Sequence, residues 1–442
     1  MSDSPVTYPE RIEIVPLTRP PTATVRVPGS KSITNRALVL AALSGKGNTC
    51  TLRGALRSED TEVMIGALQQ LGFHVDVEWG GDDPHIDVFS DEGIPIPATR
   101  AELYVANSGT TMRFLTAMVS LGRGRYRIDG VPRMRERPIE DLLSALRQLG
   151  VRASSETHNA CPPVVVEADG LKGGTARVKG SVSSQFLSGL LLAAPFAQEE
   201  VVVEVDGPLV SWPYVAMTIE MMRQWVLRIE MVSQACFRVP GRQWGGRLDY
   251  EIEPDASAAT YLWGAAAVTG GFVRVAGLST HSLQGDVRFA EVLEEMGCSV
   301  VRAEEGITVH GGLLRGIDVD MNDISDTVMT LGAVALFADG PTTIRNVAHI
   351  RHKETDRLAA LAAELRRIGA EVEEFADGLR ITPGPLHGAL IETYNDHRMA
   401  MSMALVGLKV PGVVIKDPGC VAKTYPNFFS DLEKLRDDPS PR

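Results

Sequence analysis

The sequence predicts an α/β protein built from six related units, three in each of two domains. Three observations predict it: one segment type recurs along the chain, the order of elements after each recurrence is regular, and the composition can bury a large core. The recurring segment has a small polar start, a run rich in Ala, Leu and Val, and usually a glycine turn. It appears as SKSITNRALVLAALSGKG from Ser30, NSGTTMRFLTAMVSLGRG from Asn107 and SVSSQFLSGLLLAAPFAQ from Ser181. It returns as DASAATYLWGAAAVTGG from Asp255, SDTVMTLGAVALFADG from Ser325 and NDHRMAMSMALVGLKVPG from Asn395. Equivalent positions (Lys31, Ser108, Ser183, Ala256, Asp326, Asp396) follow one another at steps of about 70–77 residues, longer than the repeats of an open solenoid.

Each apolar run predicts a buried helix, because no polar face interrupts it. A β-like run follows the turn: Tyr126–Ile128, Val201–Val205, Phe272–Val275, Thr343–Ile344 and Val413–Ile415. Next come a loop and an amphipathic helix, as in ERPIEDLLSALRQLGV, DVRFAEVLEEMGCSV and ETDRLAALAAELRRIGAEV. In the last, Leu358, Leu361, Leu365 and Ile368 share one face and Gly369 supplies the stop, leading into a strand at Glu371–Phe375. The third unit departs, reading MMRQWVLRIE where a glycine is expected. Three plus three units divide the chain into a discontinuous domain I, residues 1–28 and 252–442, and a domain II, residues 29–251.

Of the 442 residues 44% are hydrophobic and 23% charged, the profile of a globular protein. A net charge of −12 argues against a nucleic-acid coat, so any anion site must rest on a local basic cluster. Five scattered cysteines without a CxxC predict a reducing, cytoplasmic setting. The N-terminal residues lack the basic and apolar regions of a signal peptide, and no apolar stretch reaches the ~18–20 residues of a membrane span. The Pro, Asp and Ser content of roughly the first 20 and last 10 residues predicts frayed ends.

The six helix starts carry Ser30-Lys31-Ser32, Asn107-Ser108-Gly109-Thr110, Ser183-Ser184-Gln185, Asp255-Ala256-Ser257, Asp326-Thr327 and Asn395-Asp396-His397-Arg398. Taken singly, each reads as an N-cap. Together they read as an anion site, since a helix N-terminus offers free N–H donors and partial positive charge. Lys31 and Arg398 stand against the dipole unless an anion is present, Gly109 permits close approach, and Gln185 can reach a second group. Loops ahead of the second helices add Arg133, Arg135 and Arg137, with Pro138 placed to open a helix, then Arg351, Lys353 and Arg357 beside Glu354 and Asp356, and finally Lys423. Arginine meets carboxylate or phosphate with a two-pronged fork.

PGSKSITNRALVLAAL, NSGTTMRFL, DGVPRMRERPI, GSVSSQFLSGLLL, IEPDASAATY, RHKETDRL, YNDHRMAMSMAL and AKTYPNFF together resemble the 5-enolpyruvylshikimate-3-phosphate synthase family, in order and over nearly the whole chain. The resemblance implies the enolpyruvyl transferase fold, a two-domain inverse α/β barrel with helices inside that closes on its ligands. It implies transfer of the enolpyruvyl group of phosphoenolpyruvate to the 5-hydroxyl of shikimate 3-phosphate, with loss of phosphate, by a monomer without metal or cofactor. The shikimate 3-phosphate contacts carry over to Lys31, Ser32, Arg36, Ser183, Ser184, Gln185, Ser211, Tyr214, Asp326 and Lys353. His349 joins them where many relatives have asparagine. The phosphoenolpyruvate contacts carry over to Lys31, Gly109, Arg137, Gln185, Arg357, Arg398 and Lys423. Asp326 is implied as proton acceptor and Glu354 as proton donor, with Lys31 and Lys423 neutralising developing charge. Without the resemblance, Asp326 is not distinguished from Asp255 and Asp396. Gly109 stands where room for phosphoenolpyruvate and for glyphosate is set, which implies sensitivity to glyphosate.

Two other readings compete. A sister enzyme acting on UDP-N-acetylglucosamine typically has a loop cysteine, which Arg133–Pro138 lacks, and an asparagine where Ser32 stands. A non-catalytic anion-binding protein on the same fold has no need of Asp326, Glu354, Lys31 and Lys423 together.

Overall fold

The computed structural model describes residues 7–44, 47–80, 83–90 and 95–436. The chain divides into two compact units, one running from Gly29 to Ile252, the other from Glu253 onward together with the segment that ends at Pro28.

The first unit holds three four-stranded sheets. One has Arg100–Tyr104 parallel to Arg123–Asp129, then Val164–Asp169 and Arg152–Ser155 antiparallel. The second repeats that order with Gly174–Lys179, Val201–Asp206, Cys236–Val239 and Glu230–Ser233. The third does so with Asp249–Glu251, Thr49–Arg53, His85–Phe89 and His74–Glu78. The apolar helices Lys31–Ser44, Gly109–Met118 and Ser184–Ala193 pack on one another inside these sheets.

The second unit repeats the plan. Thr22–Val25, Phe272–Ala276, Gly306–His310 and Ser299–Ala303 form one sheet, and Asp318–Asp320, Thr342–Arg345, Gly378–Thr382 and Glu371–Phe375 another. The third has Leu390–Ile391, Val413–Lys416 and Arg11–Ile14. The helices Ala256–Thr269, Val328–Ala335 and His397–Gly407 pack together and are almost wholly buried. Thr260, Thr330 and Ser402, one from each helix, join hydroxyls at 3.0 and 3.4 Å, satisfying polar groups the apolar surroundings cannot. Gly264 makes the close packing possible: a Cβ there would lie 2.8 Å from Leu405 Cδ1 and 3.1 Å from Thr330 Cγ2. Each sheet is open, so among the described residues the barrel implied by the resemblance is six small sheets around helices.

The six expected units are present, and the β-like runs named from the sequence all fall within strands. Two expectations need correction, and one departure finds its explanation. The N-terminal segment is not frayed from Arg11 on: Arg11–Ile14 and Thr22–Val25 complete two sheets, because Ile14 and Val25 alternate into the core. Residues 1–6 and 437–442 lie outside the described residues. Pro138 does not open its helix, which runs Glu140–Gln148 behind an Ile139 cap. In the third unit, Val226 takes the left-handed conformation (φ 62°) that Gly72, Gly150, Gly297 and Gly369 supply elsewhere. A β-branched residue is strained there.

Candidate active site

The helix starts expected from the sequence are capped by their own side chains in five cases. Ser30, Ser108, Ser183, Asp255 and Asp396 accept backbone N–H bonds from Ile33, Thr111, Gln185, Ala258 and Arg398 at 2.8–3.4 Å. Asp326 is the exception. A short 3-10 turn, Ser325–Thr327, precedes its helix, and the carboxylate turns to cations instead. This difference separates Asp326 from Asp255 and Asp396, which pattern alone could not do.

In the first unit, Arg36 is buried and fully engaged. Its Nε donates to Thr218 Oγ1 (2.8 Å), Nη1 to the Ser32 carbonyl (2.8 Å) and Nη2 to the Tyr214 carbonyl (3.1 Å), while the guanidinium lies over Phe114. Burial pulls its pKa down to about 10. Ser32, Arg36 and Tyr214 therefore meet at one point. Lys31 Nζ stands 3.5 Å from Asp60 Oδ2, so the cation set against the helix dipole has a carboxylate beside it. Gly109 and Arg137 meet at a second point: Arg137 Nη1 donates to the Asn107 carbonyl (3.0 Å) and Oδ1 (3.3 Å). A Cβ on Gly109 would collide with Arg137 Nη2 and lie 2.9 Å from Arg113 Nη1. Next to this point, Gln185 Nε2 donates to Thr110 Oγ1 (3.2 Å). Ser184 opens its helix behind the Ser183 cap, and Ser211 stands in a left-handed conformation just before the Trp212–Gln224 helix. The other basic residues of the PRMRERP loop are spoken for at the surface, Arg133 by Glu136 and Arg135 by Asp129.

The second unit gathers its residues more tightly. Asp326 Oδ1 lies 3.1 Å from Arg357 Nη1 and 3.3 Å from Lys353 Nζ; Oδ2 lies 2.8 Å from Arg398 Nη2. Arg357, 1% exposed, also donates to Glu354 Oε2 (2.8 Å) and through Nε to Asp396 Oδ2 (2.7 Å). Desolvation works against the Arg357 charge, but Asp396, Glu354 and Asp326 outweigh it and raise its pKa. Desolvation lowers the Lys353 pKa, with Asp326 opposing. Arg398 reaches Tyr261 Oη at 3.3 Å. His349 Nε2 pairs with Ser325 Oγ (2.9 Å), and burial together with Lys353 drops the ring to about 3, so it is neutral at pH 7. Lys423 is buried at the end of the Pro418–Lys423 turn, which packs on the His397–Gly407 helix.

Sequence reasoning did not single out Asp60, Asn107, Thr218 or Asp396, the groups that hold Lys31, Arg137, Arg36 and Arg357. The Asn107 and Asp396 positions were visible only as caps. Thr218 carried no signal at all.

A family model described as EPSP synthase (3-phosphoshikimate 1-carboxyvinyltransferase) matches residues 18–432. The chain belongs to the EPSP synthase family. Family relatives named 3-phosphoshikimate 1-carboxyvinyltransferase include that of Trichormus variabilis, 48% identical over 429 residues covering 96% of this chain and 99% of the relative. That of Nitrosomonas europaea is 46% identical, with 94% and 96% covered. Among solved structures, an EPSP synthase from Acinetobacter baumannii aligns with a TM-score of 0.79 at 25% identity, covering 96% of this chain and 98% of that one. The enolpyruvyl transferase NikO from Streptomyces tendae shares the family's fold, with a TM-score of 0.74 at 20% identity and 97% of each chain covered.

Proposed function

We propose that this chain transfers the enolpyruvyl group of phosphoenolpyruvate to the 5-hydroxyl of shikimate 3-phosphate, releasing phosphate. The observation that carries the reading is the ion-pair cluster of Asp326, Lys353, Arg357 and Arg398, with Glu354 on the same arginine. The two substrates bring two phosphates and two carboxylates, up to about six negative charges near neutral pH. An acidic protein receives them by concentrating cations locally.

In this reading Lys31, Ser32, Arg36, Ser183, Ser184, Gln185, Ser211, Tyr214, His349 and Lys353 hold shikimate 3-phosphate. Gly109, Arg137, Arg357, Arg398 and Lys423 receive phosphoenolpyruvate, with Lys31 and Gln185 serving both. The same cations that bind substrate anions hold Asp326 in the unliganded protein. A carboxylate held by three cations is a weak base; as the anions take over those cations, Asp326 recovers its affinity for a proton. It then accepts the 5-hydroxyl proton as the oxygen bonds to C2 of phosphoenolpyruvate, and Glu354 delivers a proton to C3. In the second half the roles reverse: the C2–O bond to phosphate breaks as Asp326 returns its proton to the leaving oxygen, and Glu354 takes a proton back from the new methyl group. Lys31 and Lys423 offset the charge that develops.

We also read the protein as a cytoplasmic monomer. The five cysteines are unpaired, and among the described residues no helix is long and apolar enough to cross a membrane. Light scattering at micromolar concentration tests the monomer.

The decisive assay is phosphate release with each substrate alone and with both. Release only with both supports the reading; release only with UDP-N-acetylglucosamine, or binding without release, contradicts it.

A further inference from the structure

The Ala256–Thr269 helix differs from its five counterparts in carrying at its start none of the residues assigned to substrate. Its donors are used internally. Ala256 N donates to Gln284 Oε1 (2.9 Å), whose amide in turn donates to the Pro254 carbonyl (2.7 Å) and Glu253 Oε2 (3.1 Å). Ser257 Oγ donates to Asp286 Oδ2. Asp286 is 2% exposed and fixed in the Gly285–Arg288 turn, which packs on the helix. Thus a buried carboxylate of the protein itself is bonded to a side chain in the first turn of this helix.

Ser257, which holds Asp286, and Tyr261, whose Oη lies 3.3 Å from Arg398 Nη1, stand one turn apart on the same face of this helix, so Arg398 of the His397–Gly407 helix approaches the face that Asp286 occupies. The charged groups acting on Asp286 are Asp326, from the Ser325–Thr327 turn; this Arg398; and Asp255, the cap of its own helix start. Arg398 is the cation that grips Asp326 at 2.8 Å. Asp286 and Asp326 are therefore two carboxyl groups sharing the field of one guanidinium. Two such groups raise each other's proton affinity, more strongly when a cation is drawn away.

We propose that Asp286 is a positioning residue for the proton acceptor Asp326: its buried negative charge keeps Asp326 a competent base once Arg398 and its companions turn to substrate. The inference deepens the reading above and rests on Asp326 being the base. Burial, with Asp326 adding to it, pushes the Asp286 carboxyl up to about 6, so it carries its charge at neutral pH and surrenders it under mild acid. Without the charge, Asp326 holds its proton less firmly, deprotonates at lower pH and is the poorer acceptor at the pH optimum.

Asp286→Asn tests this, since the amide keeps the shape and an oxygen for Ser257. The readout is kcat and kcat/KM for both substrates, by phosphate release, across pH 5–9. The expected result is an acid limb moved to lower pH by about half a unit or more, a reduced kcat at the optimum, and KM values within about twofold of wild type. Ser257→Ala is the second variant, in case the first folds poorly. It removes a bond that favours the charged Asp286, so the limb moves the same way by less. A purely structural role would lower stability and leave the limb in place, and that result overturns the inference. Asp326→Asn run alongside keeps the two claims apart. If it abolishes turnover while the Asp286→Asn profile superimposes on wild type, only the inference falls. If Asp326→Asn retains turnover, the reading of Asp326 as base falls and takes the inference with it.

Discussion

Asp396 grips Arg357 with both oxygens, Oδ2 at 2.7 Å from Nε and Oδ1 at 3.3 Å from Nη2, and neither side chain is more than 1% exposed. Asp396 Oδ1 also caps the helix that carries Arg398. One carboxylate thereby sets two of the three cations around Asp326. Removing it leaves a buried guanidinium short of its main partner, so Asp396→Ala is expected to cost about 3–5 kcal/mol. Urea denaturation measures the loss, and a change under about 1 kcal/mol would contradict the assigned pairing.

Gly109→Ala places a methyl group against Arg137 and Arg113. Arg137 has to move out of its present position to make room, at the expense of its bonds to Asn107. The expected outcome is a rise in KM for phosphoenolpyruvate of about tenfold, equivalent to about 1.4 kcal/mol, with KM for shikimate 3-phosphate little changed. Glyphosate inhibition weakens in parallel. Steady-state kinetics with each substrate varied in turn checks both.

Val226 sits at φ 62° and is 72% exposed, where four sister units have glycine. Val226→Gly relieves the left-handed strain and gives up little packing, while glycine adds freedom to the unfolded chain. The balance is a gain of up to about 1 kcal/mol, read as a higher Tm.

His349 and Asp286 impose opposite pH dependences on stability. The His349 ring is held at about 3 against an ordinary 6.5. Below pH 6.5 the unfolded ring takes up a proton that the folded one refuses, so stability falls with falling pH, by about 1.4 kcal/mol per unit. Asp286, at about 6 against 3.8, binds its proton more tightly when folded, so its contribution falls as pH rises from about 4 to about 6. Across that window the two slopes oppose each other. His349→Asn is expected to leave a stability that declines from pH 4 to 6, and Asp286→Asn one that climbs, in denaturant titrations at fixed ionic strength.

The repeats were legible because buried helices need uninterrupted apolar runs, and because a glycine stop such as Gly369 punctuates most units. The N-terminal strands were not, since Arg11–Ile14 is four residues long and its partner Val413–Lys416 is some 400 positions away. Sequence pattern put a basic residue at two helix starts, Lys31 and Arg398, but could not say what faced it. Arg133, Arg135 and Arg137 look alike in PRMRERP, yet the first two make surface ion pairs and only Arg137 is buried against Asn107. Asp255, Asp326 and Asp396 look alike as well. Only the 3-10 turn at Ser325–Thr327 sets Asp326 apart, its carboxylate facing three cations instead of capping a helix.

The most direct test of the account is nuclear magnetic resonance of the products formed from carbon-13-labelled phosphoenolpyruvate and shikimate 3-phosphate. An enol ether at the 5-oxygen is expected to appear in step with free phosphate, one for one, and neither in the absence of the second substrate. Phosphate released with labelled pyruvate as the only carbon product, or no reaction while both ligands bind, would contradict it.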